Sequence, residues 1–325
     1  MLYPLIFQPI FKDRIWGGRE LERLYAKKIP AGQPTGESWE ISDRPGDASV
    51  IANGPLAGKD LHWLMENYRA ELLGSAKPTP ENRFPLLIKI LDARDKLSLQ
   101  VHPPARKAAE LRGEPKTEMW FIADAAPGAE LFVGLKPGVT RPEFERKITD
   151  GSVADCFHRV PVRAGDTMFL PSGRVHAIGD GLVIFEIQQN SDTTYRVFDW
   201  NRVGLDSRPR DLHVAQSLAS IDFEDFAPKL AGEPFSGDDR LKSRALVRDP
   251  LFNVEIVELK SGVELALQPR TLQIIGVVRG ELEVPGETGS LTLSAGQFCL
   301  IPACLAQTVA RARSHATLLQ VQAGN

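Results

Sequence analysis

The sequence predicts an all-β protein, two jelly-roll barrels with a few short helices. Three observations carry that expectation. Short runs rich in β-branched and aromatic residues are punctuated by Gly and Pro: FPLLIKIL, LSLQVHP, EMWFIAD, AELFVGL, DTMFLPS and LVIFEIQQ, then FNVEIVEL, TLQIIGVV, GELEV, QFCLIPA and TLLQVQ. Many short strands separated by turn signals indicate a sandwich or barrel rather than a helical or βαβ protein. A weak internal repeat is the second observation. Gly165 to His176 reads G-x5-P-x4-H, and Gly296 to Gln307 reads G-x5-P-x4-Q. One structural unit of turn, strand, Pro kink and strand therefore occurs twice. Thirdly, helical patterns are few.

In chain order, MLYPLIFQPIFKDRIWGG is apolar but interrupted by Pro4, Gln8 and Pro9, with no basic leading segment. It reads as a first strand rather than an export signal. Asp60 suits the N-cap of a helix LHWLMENYRAELL, with Gly74 at the position that favours a left-handed residue. Short helices are expected within Pro103 to Gly113, Pro142 to Gly151 and Asp211 to Ser220. Residues 227–245 carry Pro, Gly and charge without strand periodicity, and the domain boundary is placed there. The expected units are 1–230, holding the site and the helical insertions, and 231–325, lacking metal ligands.

At 325 residues the chain exceeds the roughly 100–200 residues of one domain, which fits that division. A net charge of −3 offers no electrostatic footprint for nucleic acid. No apolar run approaches the roughly 20 residues of a membrane-spanning helix. Cys156, Cys299 and Cys304 are odd in number and lack zinc-site spacing, so buried, reduced thiols in a cytoplasm are expected.

The chemistry concentrates in four residues: Gln100 and His102 in LSLQVHP, Glu118 in KTEMW and His176 in PSGRVHAI. Leu97, Leu99 and Val101 alternate with Ser98, Gln100 and His102, so an extended chain points the latter three to one side. Two imidazoles, a carboxylate and an amide oxygen suit a borderline divalent ion such as zinc, with coordination left for a substrate. Gln100 serves either as a ligand or behind the ligands. His62, His158, His213 and His315 read as hydrogen-bonded core or surface residues. Trp16, Trp39 and Trp120 are pocket walls or core.

G-x5-P-x4-H is the second motif of the cupin superfamily, and the chain resembles cupins on that ground. The stretches QVHP, KTEMW, VHAI and EIQQNSDTTYRVFDWNR, with IWGGRE (15–20) and GESWEIS (36–42), are more specifically similar to type I mannose-6-phosphate isomerases of the short bacterial form. The similarity covers most of the first 215 residues. It departs from the general cupin pattern in reading QVH where that pattern has HxH, as the isomerase branch also does. The resemblance implies reversible interconversion of mannose 6-phosphate and fructose 6-phosphate through a cis-enediol, with one zinc ion per chain and a small sugar phosphate as partner.

The resemblance also assigns residues. Arg196 would be the active-site arginine, stabilising a developing oxyanion. Glu186 would be a pocket glutamate, either a proton carrier or an acid paired with Arg196. Ser98 and Lys116 match substrate-contacting positions, Lys116 as a point charge for the phosphate. Glu186, Lys116 and a water on the ion all remain open as the proton shuttle. Two other classes compete: a non-haem iron oxygenase, which also uses two His and a carboxylate, and a non-catalytic sugar-phosphate binder. Fold alone does not separate them.

Overall fold

Alternating apolar runs become four large antiparallel sheets, with a two-stranded pair of Asp43–Arg44 and Asp47–Ala48, in the computed structural model, which describes residues 2–286 and 289–324. The first sheet has six strands in the order Ile10–Gly18, Thr35–Ile41, Leu86–Ala93, Leu182–Gln189, Glu118–Ala125 and Thr167–Leu170. The second has five: Tyr195–Phe198, Leu99–Val101, His176–Ile178, Glu130–Leu135 and Phe157–Pro161. The third has six: Ser236–Gly237, Leu241–Arg248, Phe252–Leu259, Ala316–Ala323, Gln273–Arg279 and Phe298–Ile301. The fourth has Glu264–Ala266, Val309–Ala312, Glu281–Val284 and Leu291–Ser294. The protein is mostly β with few helices.

Period-2 alternation gives each strand two faces, and the central strands of the six-stranded sheets place core residues on both. One face of the first sheet shares a core with the second sheet, including Leu91, Trp120, Leu131, Val133, Ile178 and Ile184. Its other face (Ile88, Ile90, Phe121, Phe185) meets the third sheet (Val254, Ile256, Ile274, Leu319) in the largest cluster, closed by Leu61, Leu64 and Leu72. Val257, Ile275, Leu282, Leu293 and Leu318 fill a further core between the third and fourth sheets. The outer face of the second sheet is covered by the helices Arg141–Asp150 and Val214–Ser220.

The N-terminal segment reaches across the molecule. Leu5 exchanges two backbone hydrogen bonds with Leu300, at 2.9 and 2.8 Å, before the chain turns into Ile10–Gly18.

The helix expected after Asp60 is there, but broken. The Asp60 side chain accepts from the Trp63 amide at 2.8 Å, and Leu61–Asn67 and Arg69–Leu73 are separate helices. The break falls at Tyr68, where the Asn67 side chain donates to the Trp63 carbonyl and competes with the helix ladder. The sequence reading gave no helix at Glu20–Tyr25, whose six residues are set by tertiary contact rather than a long periodic pattern. Cys156 and Cys299 are buried free thiols, whereas Cys304 is exposed, contrary to expectation. It lies on a turn after Pro302, its backbone N–H tied to Glu71. Among the described residues no helix is long and apolar enough to cross a membrane.

Candidate active site

Strand pairing brings the sequence-distant ligand candidates together. His176 opens a strand that pairs in register with Gln100, and Gln100 also pairs with Arg196 on its other side. Glu118 begins the strand that faces them from the first sheet, paired with Leu170 and Gln188. His102, Glu118 and His176 are buried and each offers a ligand atom within 4.8 Å of the others. His102 Nε2 lies 3.6 Å from Glu118 Oε2, and His176 Nε2 lies 3.4 Å from Glu118 Oε1. The amide nitrogen of Gln100 sits 3.3 Å from His176 Nε2. Rotation of that amide presents its oxygen instead.

Each imidazole is oriented from behind. His102 Nδ1 pairs with the Thr193 carbonyl at 2.7 Å and His176 Nδ1 with the Arg174 carbonyl at 2.9 Å. A carbonyl only accepts, so both Nδ1 atoms carry the proton and both Nε2 lone pairs face inward. Gly113 permits the first of these contacts. A Cβ there would stand 2.4 Å from the Tyr195 hydroxyl and 2.8 Å from the Thr193 methyl, displacing the carbonyl that holds His102.

The electrostatics favour a cation between these groups. Burial, then the Lys116 charge, lowers the His102 pKa; burial, with His102 and Lys116, lowers that of His176 to about 3 against the pull of Glu118. Both rings are therefore neutral donors at ordinary pH. Burial opposes charge on Glu118, but the Lys116 ammonium, 2.8 Å away, outweighs it and holds the carboxyl well below its usual range. His102 Nε2 and Glu118 Oε1 are buried without a hydrogen-bond partner, and Glu118 Oε2 faces the Lys116 ammonium without the alignment of a hydrogen bond. Orphaned acceptors of this kind are costly unless something positive satisfies them. The residues fit a divalent metal ion, and His102, Glu118 and His176 could hold it, with Gln100 alongside.

A cavity of about 600 Å³ adjoins the ligand candidates, lined by Ser98, Gln100, Lys116, Glu186 and Arg196. Five of the expected site residues thus share one space, with His102, Glu118 and His176 behind it. Arg196 donates to the Asp211 carbonyl at 2.8 Å, and its Nε is buried without a partner. Glu186 does not pair with Arg196. Its Oε2 accepts from Trp120 Nε1 at 2.8 Å, and Lys89 Nζ approaches Oε1 at 3.3 Å without the alignment of a hydrogen bond. Burial, then Glu118, pushes the Glu186 pKa up against Lys116 and Lys89. Lys116 spends its charge on Glu118, which places its ammonium at the ligand end of the cavity. Trp16 and Trp120 are walls of the cavity, Trp120 standing edge-on to the His176 ring; Trp39 is buried beneath Lys89.

Among the cavity residues that the sequence did not single out are Lys89, Glu37 and Arg14. Lys89 is the single charge in FPLLIKIL, a lone cation in an otherwise apolar strand, and that was the available signal. Trp39, Lys89, Glu186 and Trp120 stand in register across four neighbouring strands. Glu37 takes a fork from Arg14 at 2.9 and 3.2 Å and a bond from Trp39 Nε1 at 2.6 Å. Burial opposes its charge, but Lys89 and Arg14 outweigh it and lower its pKa to about 2.

The family model described as phosphomannose isomerase type I, catalytic domain, matches residues 5–119. A mannose-6-phosphate isomerase of Streptococcus mutans is 36% identical over 303 residues, covering 93% of each chain. The enzyme ManA of Bacillus subtilis is 36% identical over 92% of this chain and 93% of its own. The chain belongs to the type I mannose-6-phosphate isomerase family. A crystal structure of the mannose 6-phosphate isomerase from Bacillus subtilis superposes with a TM-score of 0.89 at 30% identity, covering 98% of this chain and 99% of that one. These relatives are therefore matched over nearly their full length, both sheet pairs included.

Proposed function

We propose that this protein is a cytoplasmic mannose-6-phosphate isomerase that interconverts mannose 6-phosphate and fructose 6-phosphate through a cis-enediol. It would work with one zinc ion held by His102, Glu118, His176 and Gln100. The observation that carries the reading is the set of orphaned inward lone pairs on His102 and Glu118, beside a polar cavity, in a member of this family. We assign the sheets to two jelly-roll barrels, residues 1–230 carrying the site and residues 231–325 carrying none.

The bound ion would supply Lewis-acid polarisation of the substrate's carbonyl and hydroxyl oxygens. The protein does the rest. Glu186 Oε1 takes the proton from C2 as the aldehyde oxygen gains one from solvent water, giving the enediol. Glu186 then returns its proton to C1 while the C2 hydroxyl gives one back to water, giving the ketose. Its raised pKa brings the carboxylate nearer the basicity this transfer needs. Trp120 fixes the other carboxylate oxygen. Arg196 offsets negative charge growing on the substrate oxygens. Lys116 meets a sugar oxygen at the ligand end, its tie to Glu118 keeping it from the phosphate. Ser98 offers a hydroxyl from the same strand segment as Gln100.

The test is metal analysis with a coupled mannose 6-phosphate assay before and after chelation. Loss of turnover with the metal and recovery on adding zinc are expected; full activity in metal-free protein rejects the reading. Glu186→Gln should lower kcat about 10²- to 10⁴-fold with metal content unchanged, the span for a positioned acid–base group. Wild-type turnover in that variant removes Glu186 from the role.

A further inference from the structure

The segment GESWEIS holds an arrangement that the isomerisation reading leaves unused. Glu37 and Trp39 are two apart on Thr35–Ile41, so both side chains face the cavity side of the first sheet. Gly36 lets the neighbouring strand come close: a Cβ there would meet the Arg14 side chain at 2.5 Å and the Trp16 ring at 2.7 Å. Arg14 is thereby laid across Glu37 as a fork, and Trp39 Nε1 adds a third donor. Three fixed donors make Glu37 an immobile anion. Its Oε2 stands 4.0 Å from Lys89 Nζ, whereas Glu186 Oε1 stands 3.3 Å away on the other side. The Lys89 ammonium also lies over the Trp39 ring, 5.0 Å from its centroid.

Lys89 is buried between two carboxylates and fully aligned with neither. With Glu37 absent, Glu186 would be its remaining close anion, and the flexible lysine would close onto Oε1, the oxygen assigned to proton transfer. We propose that Arg14 and Glu37 are positioning residues that keep the Lys89 ammonium from aligning on Glu186 Oε1, leaving that oxygen's lone pairs without a hydrogen bond. The inference rests on the reading of Glu186 as the base. It adds that the freedom of this base to take a proton is set from the far side of Lys89, by residues that do not touch the proton in flight.

A double-mutant cycle on mannose 6-phosphate turnover tests it, with wild type, Glu37→Gln, Lys89→Met and the double variant. Glu37→Gln should lower kcat about 10- to 100-fold, the scale of an ångström-sized misplacement beside the reaction. KM should move less than about threefold, since ground-state binding is kept, and metal content should stay that of wild type. In the Lys89→Met background the same change should cost no more than about twofold, because its effect passes through the lysine. Losses that multiply in the double variant, or a Glu37→Gln enzyme with wild-type kcat, overturn the proposal. Should Glu37→Gln fail to fold or Lys89→Met be inactive, Arg14→Met against Arg14→Lys decides. Recovery of kcat in the lysine variant supports it, and equal kcat in the two overturns it. A wild type inactive on mannose 6-phosphate defeats the parent reading and this one together; an active wild type with multiplying losses defeats this one alone.

Discussion

The two sheet pairs are built on one plan and differ in what stands at equivalent places. Strand order matches place for place between the first and third sheets. Glu118 pairs with Leu170 and Gln188, and Gln273 pairs with Ile301 and Gln322. By the same register Glu186 corresponds to Gln320, and Lys89 to Glu255. His176 and Gln307 close the two copies of the G-x5-P motif. At the places of Glu118 and Glu186 the second pair sets neutral amides that satisfy each other. Gln320 Nε2 donates to Gln273 Oε1 at 2.6 Å, and Gln273 Nε2 donates to the Gln268 carbonyl at 2.8 Å. In the first pair the corresponding acceptors on Glu118 make no hydrogen bond within the protein, though Lys116 faces one of them. A site and a core therefore differ here by whether buried polar atoms find partners inside the protein or wait for one from outside.

The largest break in this comparison is to make the first pair resemble the second. Glu118→Gln removes the anionic donor between two neutral imidazoles and leaves Lys116 buried without its counter-charge. Metal content should collapse, and kcat/KM should fall more than about 100-fold, beyond the range for residues that merely orient a ligand. Elemental analysis with the coupled assay reads both quantities. A variant that keeps its metal and its turnover would show that Glu118 is not what distinguishes the two sheet pairs.

The reverse exchange has a smaller effect and a different readout. Gln273→Glu places a carboxylate oxygen against the Gln268 carbonyl in a buried setting, costing about 1–3 kcal/mol. Burial raises the folded pKa of such an acid above its unfolded value. The neutral form therefore keeps its stability at low pH, and the loss appears as pH rises through the folded pKa. Urea melts at pH 4 and pH 8 check this, the deficit being larger at pH 8. Turnover should be that of wild type, since the second sheet pair holds none of the proposed ligands.

Much of this was legible in the residues. Glycine and proline punctuation marked the strands, and the spacing of Gln100 and His102 implied a shared face because alternation is a local property. The G-x5-P motif marked equivalent turns for the same reason. Other features depend on register between strands far apart in sequence. That Glu186 meets Lys89 rather than Arg196, and that Lys116 meets Glu118, follows from which strands pair and at what offset. The break at Tyr68 and the short helix Glu20–Tyr25 were missed because an Asn side chain and a tertiary cap decide them.

The smallest effect contrasts two acids at equivalent places. By register Asp92 corresponds to Glu258. Glu258 has Lys242 at 2.9 Å, whereas Asp92 accepts from the Glu20 amide at 2.6 Å and is buried beside Gly18, where a Cβ would stand 2.7 Å from its Oδ1. Burial raises the Asp92 pKa to about 6, the amide bond from Glu20 only partly opposing it. A carboxyl raised in the folded state contributes stability below its unfolded pKa, about 4, and loses it as pH rises through 6. Asp92→Asn keeps an oxygen for the Glu20 amide and removes the titration. It should flatten that window, stabilising the protein at pH 7.5 by about 1 kcal/mol or less once solvent screening is allowed for. In a chain of this size that is a rise in Tm of about 1–3 °C, against no gain at pH 4. Melting curves of the two proteins that run parallel from pH 4 to 8 would show that the buried acid is as well satisfied as its counterpart, and the contrast between the two places would vanish.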